Sequence, residues 1–125
     1  MFTQKLASSN YDSVLIGWNA DNSDPDNFFT PLLSCAALAS NNNRSRWCQK
    51  DFEHLLTQAQ SVSTQPERKA FYQSAEAIIS DQVPMVTLAH AKKVVLKKNN
   101  ITTMQIRPYG GISFAKTTQI IEGSE

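Results

Sequence analysis

An α/β or α+β architecture is predicted by three observations: an almost unbroken apolar run early in the chain, two consecutive segments with apolar residues at helical spacing, and short β-branched runs after them. The first run, Tyr11-Asp12-Ser13-Val14-Leu15-Ile16-Gly17-Trp18, is bounded by polar residues and suits a strand buried on both faces. Asp24-Pro25 then has the form of a helix start, with Asp24 as N-cap and Pro25 at the first helical position, leading into Phe28, Phe29, Leu32 and Leu33. Pro31 keeps that helix short or distorts it. Phe52, Leu55, Leu56 and Ala59 predict an amphipathic helix over Lys50 to Ser61. A break at Ser63-Thr64-Gln65-Pro66 precedes a second helix with Pro66 and Glu67 in its first turn. Ala70, Phe71, Ser74, Ala75, Ile78 and Ile79 form its stripe, and it ends near Asp81. Pro84 to Ala89 and Val94-Val95-Leu96 predict strands. Beyond Lys97 the tail is polar with scattered β-formers, a turn at Pro108-Tyr109-Gly110-Gly111 and a short strand over Ile112 to Phe114. One strand before the helices and two or three after them leave apolar edges uncovered, so the chain is expected to be incomplete as a domain.

Composition narrows the function. The 125 residues fall in the range of one domain, and 12 Lys plus Arg against 11 Asp plus Glu leave a net charge of +1. No global field therefore recruits nucleic acid or anionic lipid, and partners must be selected locally. The apolar runs are a few residues long, against the roughly 20 needed to cross a bilayer. Met1 to Leu6 lacks a charged head followed by an apolar stretch, so no secretory signal is expected in this chain. Lys92, Lys93, Lys97 and Lys98 flank Val94-Val95-Leu96 and fit an edge strand defended against aggregation better than a membrane or nucleic-acid patch.

The richest stretch for chemistry is Trp18 to Cys48, with the aspartate-rich turn Asp21-Asn22-Ser23-Asp24-Pro25-Asp26, the pair Phe28-Phe29, and the only two cysteines, Cys35 and Cys48. An acidic group beside a tryptophan offers charge and an apolar wall to a cationic ligand. Asp21 also suits a turn cap, Asp24 an N-cap and Asp26 a solvated position in the first helical turn. A calcium loop fails for want of Gly at its sixth position and of a bidentate carboxylate at its twelfth. The rival class is a hydrolase built on paired aspartates, yet no nucleophile elbow, phosphate loop or zinc helix accompanies them, and His54 and His90 fit ordinary surface positions. A third class is a stand-alone interaction module that recruits a partner along an exposed sheet edge. The two cysteines bracket a polar loop and are either paired or two separate thiols; pairing needs an oxidising compartment and would stabilise the fold by about 3 kcal/mol. Neither has a second metal ligand at short spacing, so no metal and no cofactor is expected. Asn43-Arg44-Ser45 and Asn100-Ile101-Thr102 match glycosylation acceptors only formally.

The run Gly17-Trp18-Asn19-Ala20-Asp21-Asn22-Ser23-Asp24-Pro25-Asp26-Asn27-Phe28-Phe29, followed by Leu32-Leu33-Ser34-Cys35-Ala36-Ala37, Arg46-Trp47-Cys48, Tyr72 to Pro84 and Pro108-Tyr109-Gly110, resembles the C-terminal quarter of periplasmic peptide-binding proteins of ABC transporters. These are the solute-binding proteins of family 5, of dipeptide and oligopeptide type, and within them the chain is most similar to the Sap antimicrobial-peptide branch. The resemblance covers about Tyr11 to Phe114. It implies a bilobal, type II-like α/β protein of which this chain supplies part of the larger C-terminal lobe. Residues 1–91 would lie in that ligand-binding lobe and residues 92–125 would cross back to the N-terminal lobe. It further implies that Asp21 pairs with a peptide's α-ammonium group, that Trp18 lines the ligand, and that Cys35 and Cys48 form a disulfide. The implied partners are a peptide, with haem as another cargo of some relatives, a membrane permease of the importer and the missing N-terminal lobes. The implied location is the periplasm, and the implied activity is capture without chemistry on the cargo.

Overall fold

The computed structural model describes residues 2–107, 109 and 112–119. In chain order these form α1 (Phe2–Ser8), α2 (Asp26–Leu33), a 3₁₀ turn (Ala36–Leu38), α3 (Lys50–Ser61), α4 (Gln65–Gln82), β1 (Ile101–Ile106) and β2 (Ile112–Gln119). The chain divides into two units, Met1–Trp18 with Ser23–Thr87, and Asn19–Asn22 with Leu88–Glu125.

The first unit is helical because its apolar residues recur at helical spacing and its helix ends are capped. α3 begins where the Gln49 side chain accepts from the Phe52 amide at 2.7 Å, with Asp51 and Glu53 placed at the positive end of the helix dipole. It buries Phe52, Leu56 and Ala59, one per turn. At the start of α4 the Thr64 hydroxyl donates to Glu67 at 2.6 Å, and Pro66 occupies a position where a missing amide costs nothing. The end of α4 is less relaxed. Val83 takes a left-handed conformation (φ 47, ψ 52) to return its amide to Ile79 O at 2.8 Å, a conformation that crowds a β-branched side chain, and Pro84 prevents any further turn.

Leu32 and Leu33 of α2, Phe52, Leu56 and Ala59 of α3, and Tyr72 and Ala75 of α4 make one buried cluster, with Phe28, Phe29 and Trp47 packed on it. The rings meet edge to face or tilted: Trp47 to Phe52 at 4.9 Å, Phe29 to Tyr72 at 5.7 Å and Phe29 to Phe52 at 6.2 Å. The stripe expected on α4 is displaced: Ala70 and Ser74 are exposed, whereas Tyr72 is buried beside Ala75. Trp47 packs in this core and donates its indole N–H to Gln82 at 2.8 Å.

The cysteines are paired, closing the loop between α2 and α3. Inside that loop Asn43 is fully buried and donates to Ser34 O at 3.0 Å and Trp47 O at 2.7 Å, while Glu53 accepts from the Cys35 amide at 2.6 Å. A buried asparagine so employed has no side chain to offer a glycan. The loop also meets the end of α1, where Asn41 and Arg44 both donate to Leu6 O.

The strand expectations meet a different outcome. Tyr11 to Trp18, Pro84 to Ala89 and Val94 to Leu96 form no strand, and among the described residues the one ladder is the antiparallel pair β1 and β2. A strand, unlike a helix, satisfies its amides only through a neighbour, and among the described residues none pairs with these segments. The layered α/β arrangement is therefore replaced, in the described residues, by helices and a single hairpin. β2 extends past the expected Ile112 to Phe114, and β1 was masked by its polar residues. The turn expected over 108–111 lies for the most part outside the described residues.

Candidate functional site

The aspartate turn is built on α2. Asp24 accepts from the Asp26 amide through its side chain (2.9 Å) and from the Asn27 amide through its carbonyl (3.1 Å), so it performs the capping expected of it although the helix itself runs from Asp26. Its second carboxylate oxygen meets Arg68 Nη1 of α4 at 2.6 Å. Arg68 in turn donates to the Tyr72 hydroxyl at 3.0 Å. The hydrogen bond to Tyr72, opposed by some desolvation and aided by the Asp24 charge, raises the Arg68 pKa above its ordinary value. Burial raises the Tyr72 phenol above its ordinary value, with the Arg68 hydrogen bond acting the other way.

Asp26 departs from its expected solvated role. It accepts from Thr30 at 2.7 Å within α2 and from Gln60 of α3 at 2.8 Å. Two of the three aspartates of the turn are thus engaged in holding α2 to α3 and α4.

Trp18 is anchored by a consequence of Pro31. In an uninterrupted helix the amide of residue 31 would donate to the carbonyl of Asn27, but proline has no N–H and its ring crowds that carbonyl. The Trp18 indole N–H donates to Asn27 O at 2.9 Å instead. The residue as a whole remains 38% exposed.

Asp21 is exposed and belongs to residues 19–22 of the second unit, whereas Trp18 and Asp24 belong to the first. Neither Trp18 nor Asp21 lines the open groove of about 840 Å³ that lies between Asp24, Phe29, Pro66, Arg68 and Tyr72. Sequence reasoning missed Asn43, Arg68 and the link between Pro31 and Trp18. The signals for the last two were present: Arg68 stands four residues before Tyr72 on one helix face, and Pro31 stands four after the carbonyl it deprives.

No family model matches the chain. It is 40% identical over 115 residues to di/tripeptide-binding protein 4 of Pseudomonas aeruginosa (strain UCBPP-PA14), across 92% of this chain and 22% of that protein. It is 36% identical over 111 residues to the peptide transport periplasmic protein SapA of Salmonella typhimurium, across 89% and 20%. Among solved structures it is similar to the dipeptide binding protein of Pseudoalteromonas sp. SM9913 in complex with Met-Leu, with a TM-score of 0.83 and 38% identity over 95% of this chain and 24% of that one. The chain spans about a fifth of the length of the curated relatives it matches. These relatives are binding and transport proteins, and neither the paired-aspartate hydrolase nor the stand-alone module finds support among them.

Proposed function

We propose that this chain, a segment related over nine-tenths of its length to periplasmic peptide-binding proteins, supplies part of the C-terminal lobe of a bilobal receptor that captures peptides for an ABC importer. In this reading Asp21 receives the peptide's α-ammonium group and Trp18 presents its ring to the ligand. Residues 92–125 lead back toward the N-terminal lobe, and a membrane permease takes the delivered cargo in the periplasm.

The observation that supports the reading is the relation to peptide binders: 40% identity over 92% of this chain to a di/tripeptide-binding protein, and a TM-score of 0.83 to a dipeptide binding protein in complex with Met-Leu. A carboxylate in water gains little from an ammonium partner, since exposed pairs are worth at most about 1 kcal/mol. The same pair gains strength where water is excluded, so the remaining lobes have to close over it for selectivity to emerge. Capture therefore belongs to the assembled receptor and weakly, if at all, to this segment.

The test is a graft in which this chain replaces its counterpart in the 40%-identical Pseudomonas relative, titrated calorimetrically with Met-Leu and with N-acetyl-Met-Leu. Asp21→Asn is expected to weaken Met-Leu by about a hundredfold, in the range for removing one partner of an enclosed charge pair, and to leave the acetylated peptide little changed. An unaltered preference for the free amino terminus would remove Asp21 from the site. Haemin in the same calorimeter separates a haem carrier from a peptide carrier.

A further inference from the structure

The loop closed by Cys35 and Cys48 is held by more than its covalent bond. Ser34 and Trp47 each stand one residue before a cysteine, and the Asn43 side-chain amide donates to both of their carbonyls, at 3.0 Å and 2.7 Å. One nitrogen thus spans the same gap that the two sulfurs span. Asn43 is kept in place by its own contacts: its backbone amide donates to Ala37 O at 3.3 Å, and its side-chain oxygen accepts from the Ser45 hydroxyl at 2.9 Å. The residue is 1% exposed, so water competes little for these bonds.

Each end of the loop is also fixed to the helices by itself. On the first side the Cys35 amide donates to Glu53 of α3 at 2.6 Å, and the Ser34 amide donates to Thr30 O of α2 at 3.3 Å. On the second, Trp47 packs on Phe52 and its indole donates to Gln82 of α4 at 2.8 Å. None of these contacts uses a sulfur atom.

We propose that Asn43 is a positioning residue for the two thiols, a non-covalent staple that brings Cys35 and Cys48 together before oxidation and keeps them together after reduction. The disulfide then locks a loop that is already closed. Cys48 is exposed and Cys35 half-buried, so a disulfide oxidant such as oxidised glutathione meets Cys48 first. The Cys48 thiolate attacks it, forming a mixed disulfide and releasing one glutathione. The Cys35 thiolate then attacks the Cys48 sulfur and releases the second, so that two electrons pass to the oxidant and the two thiol protons end on the released glutathiones. Holding the sulfurs in reach raises the effective concentration of one thiol at the other, which favours this second step. The inference concerns the loop alone and is independent of peptide capture.

The test equilibrates the 125-residue chain in mixtures of reduced and oxidised glutathione and reads the oxidised fraction by alkylation of free thiols. Asn43→Ala is expected to lower the effective concentration of the pair by about tenfold, the scale of two ordinary hydrogen bonds partly offset by relaxation of the opened loop. Ser45→Ala is the milder variant. It removes the hydroxyl that meets Asn43 Oδ1 and the Trp47 amide, and should lower the same quantity by about twofold. A residue that merely supports the fold would stabilise the oxidised and reduced chains alike, so denaturation midpoints would fall and the effective concentration would stay at the parent value. That result overturns the proposal, and where Asn43→Ala does not fold, an unchanged value in Ser45→Ala overturns it equally.

Two further measurements need no change at Asn43. In the reduced parent the Cys35 amide should remain slow to exchange by NMR, because Glu53 still accepts from it; exchange at the rate of an unfolded chain would show that nothing but the covalent bond closes the loop. The order of attack is read from the single variants Cys35→Ser and Cys48→Ser mixed with oxidised glutathione. Cys48 should form its mixed disulfide the faster, and faster reaction at Cys35 refutes the assigned order.

Discussion

The helical core and the segments that flank it are made of much the same apolar residues, yet one is buried and the other is not. Phe52 and Ala59 of α3 are fully buried, while Leu15 is 76% exposed, Leu88 72% and Leu96 96%. The difference lies in where each kind of element finds its hydrogen bonds. A helix closes its own ladder and needs a neighbour only for its apolar stripe, which α2, α3 and α4 provide for one another. A strand needs a neighbour for its backbone as well as for its faces, and among the described residues Tyr11 to Trp18 and Pro84 to Leu96 join no ladder, with Met85 alone of the latter packed on the helical cluster. The comparison teaches that the helices cover one another's apolar stripes, whereas these flanking apolar residues stay largely exposed in the described residues.

The largest effect expected from this contrast comes from Phe52→Ala. Phe52 contacts Phe29 and Trp47 at the centre of the one cluster in the first unit, and emptying such a site costs about 3–5 kcal/mol. Urea titration followed by circular dichroism should show the cooperative helical transition lost or moved to far lower denaturant. A small shift would mean that the cluster is not what holds the helices together. Reduction of Cys35–Cys48 comes next. Opening this loop removes about 3 kcal/mol in the chain-entropy model, so thermal unfolding with and without a reductant should differ by many degrees. Asn43, with its two backbone acceptors, is expected to preserve part of the loop's order after reduction.

The same contrast explains what the sequence made legible. α3 was read at Lys50 to Ser61 because its stripe and its flanking polar residues agree, and α4 was read to within a residue at either end because Pro66 and Pro84 punctuate it. Local rules suffice where local hydrogen bonds suffice. The failed strands failed for a physical reason: alternating or continuous apolar runs report that a segment is made for a sheet, not that the sheet is present. In the site, Asp24 as a cap was legible because capping acts over two or three residues. Its ion pair to Arg68 was not, because the two are joined only by the folding of α4 against α2. The disulfide was left open by spacing alone and followed from family resemblance. The role of Asp26 was misjudged, since a solvated aspartate and one that binds Gln60 across helices look alike in sequence.

The smallest expected effect is the one that sharpens the comparison most. Leu96→Lys replaces a side chain that is 96% exposed and that joins no part of the buried cluster. In the isolated chain it should change stability by no more than about 0.5 kcal/mol, as for any surface position free of special contacts. In the graft, where the remaining lobes are present, the same substitution should cost about 2–5 kcal/mol if the residue has become part of a two-faced sheet. Denaturant titration of the two backgrounds reads the difference directly. Equal, small effects in both would show that residues 94–96 stay at the surface of the whole receptor, and the account of them as a strand without its neighbours would have to be given up. A large effect already in the isolated chain would mean the segment is packed there, and the contrast between buried helices and exposed flanking segments would be wrong from the other side.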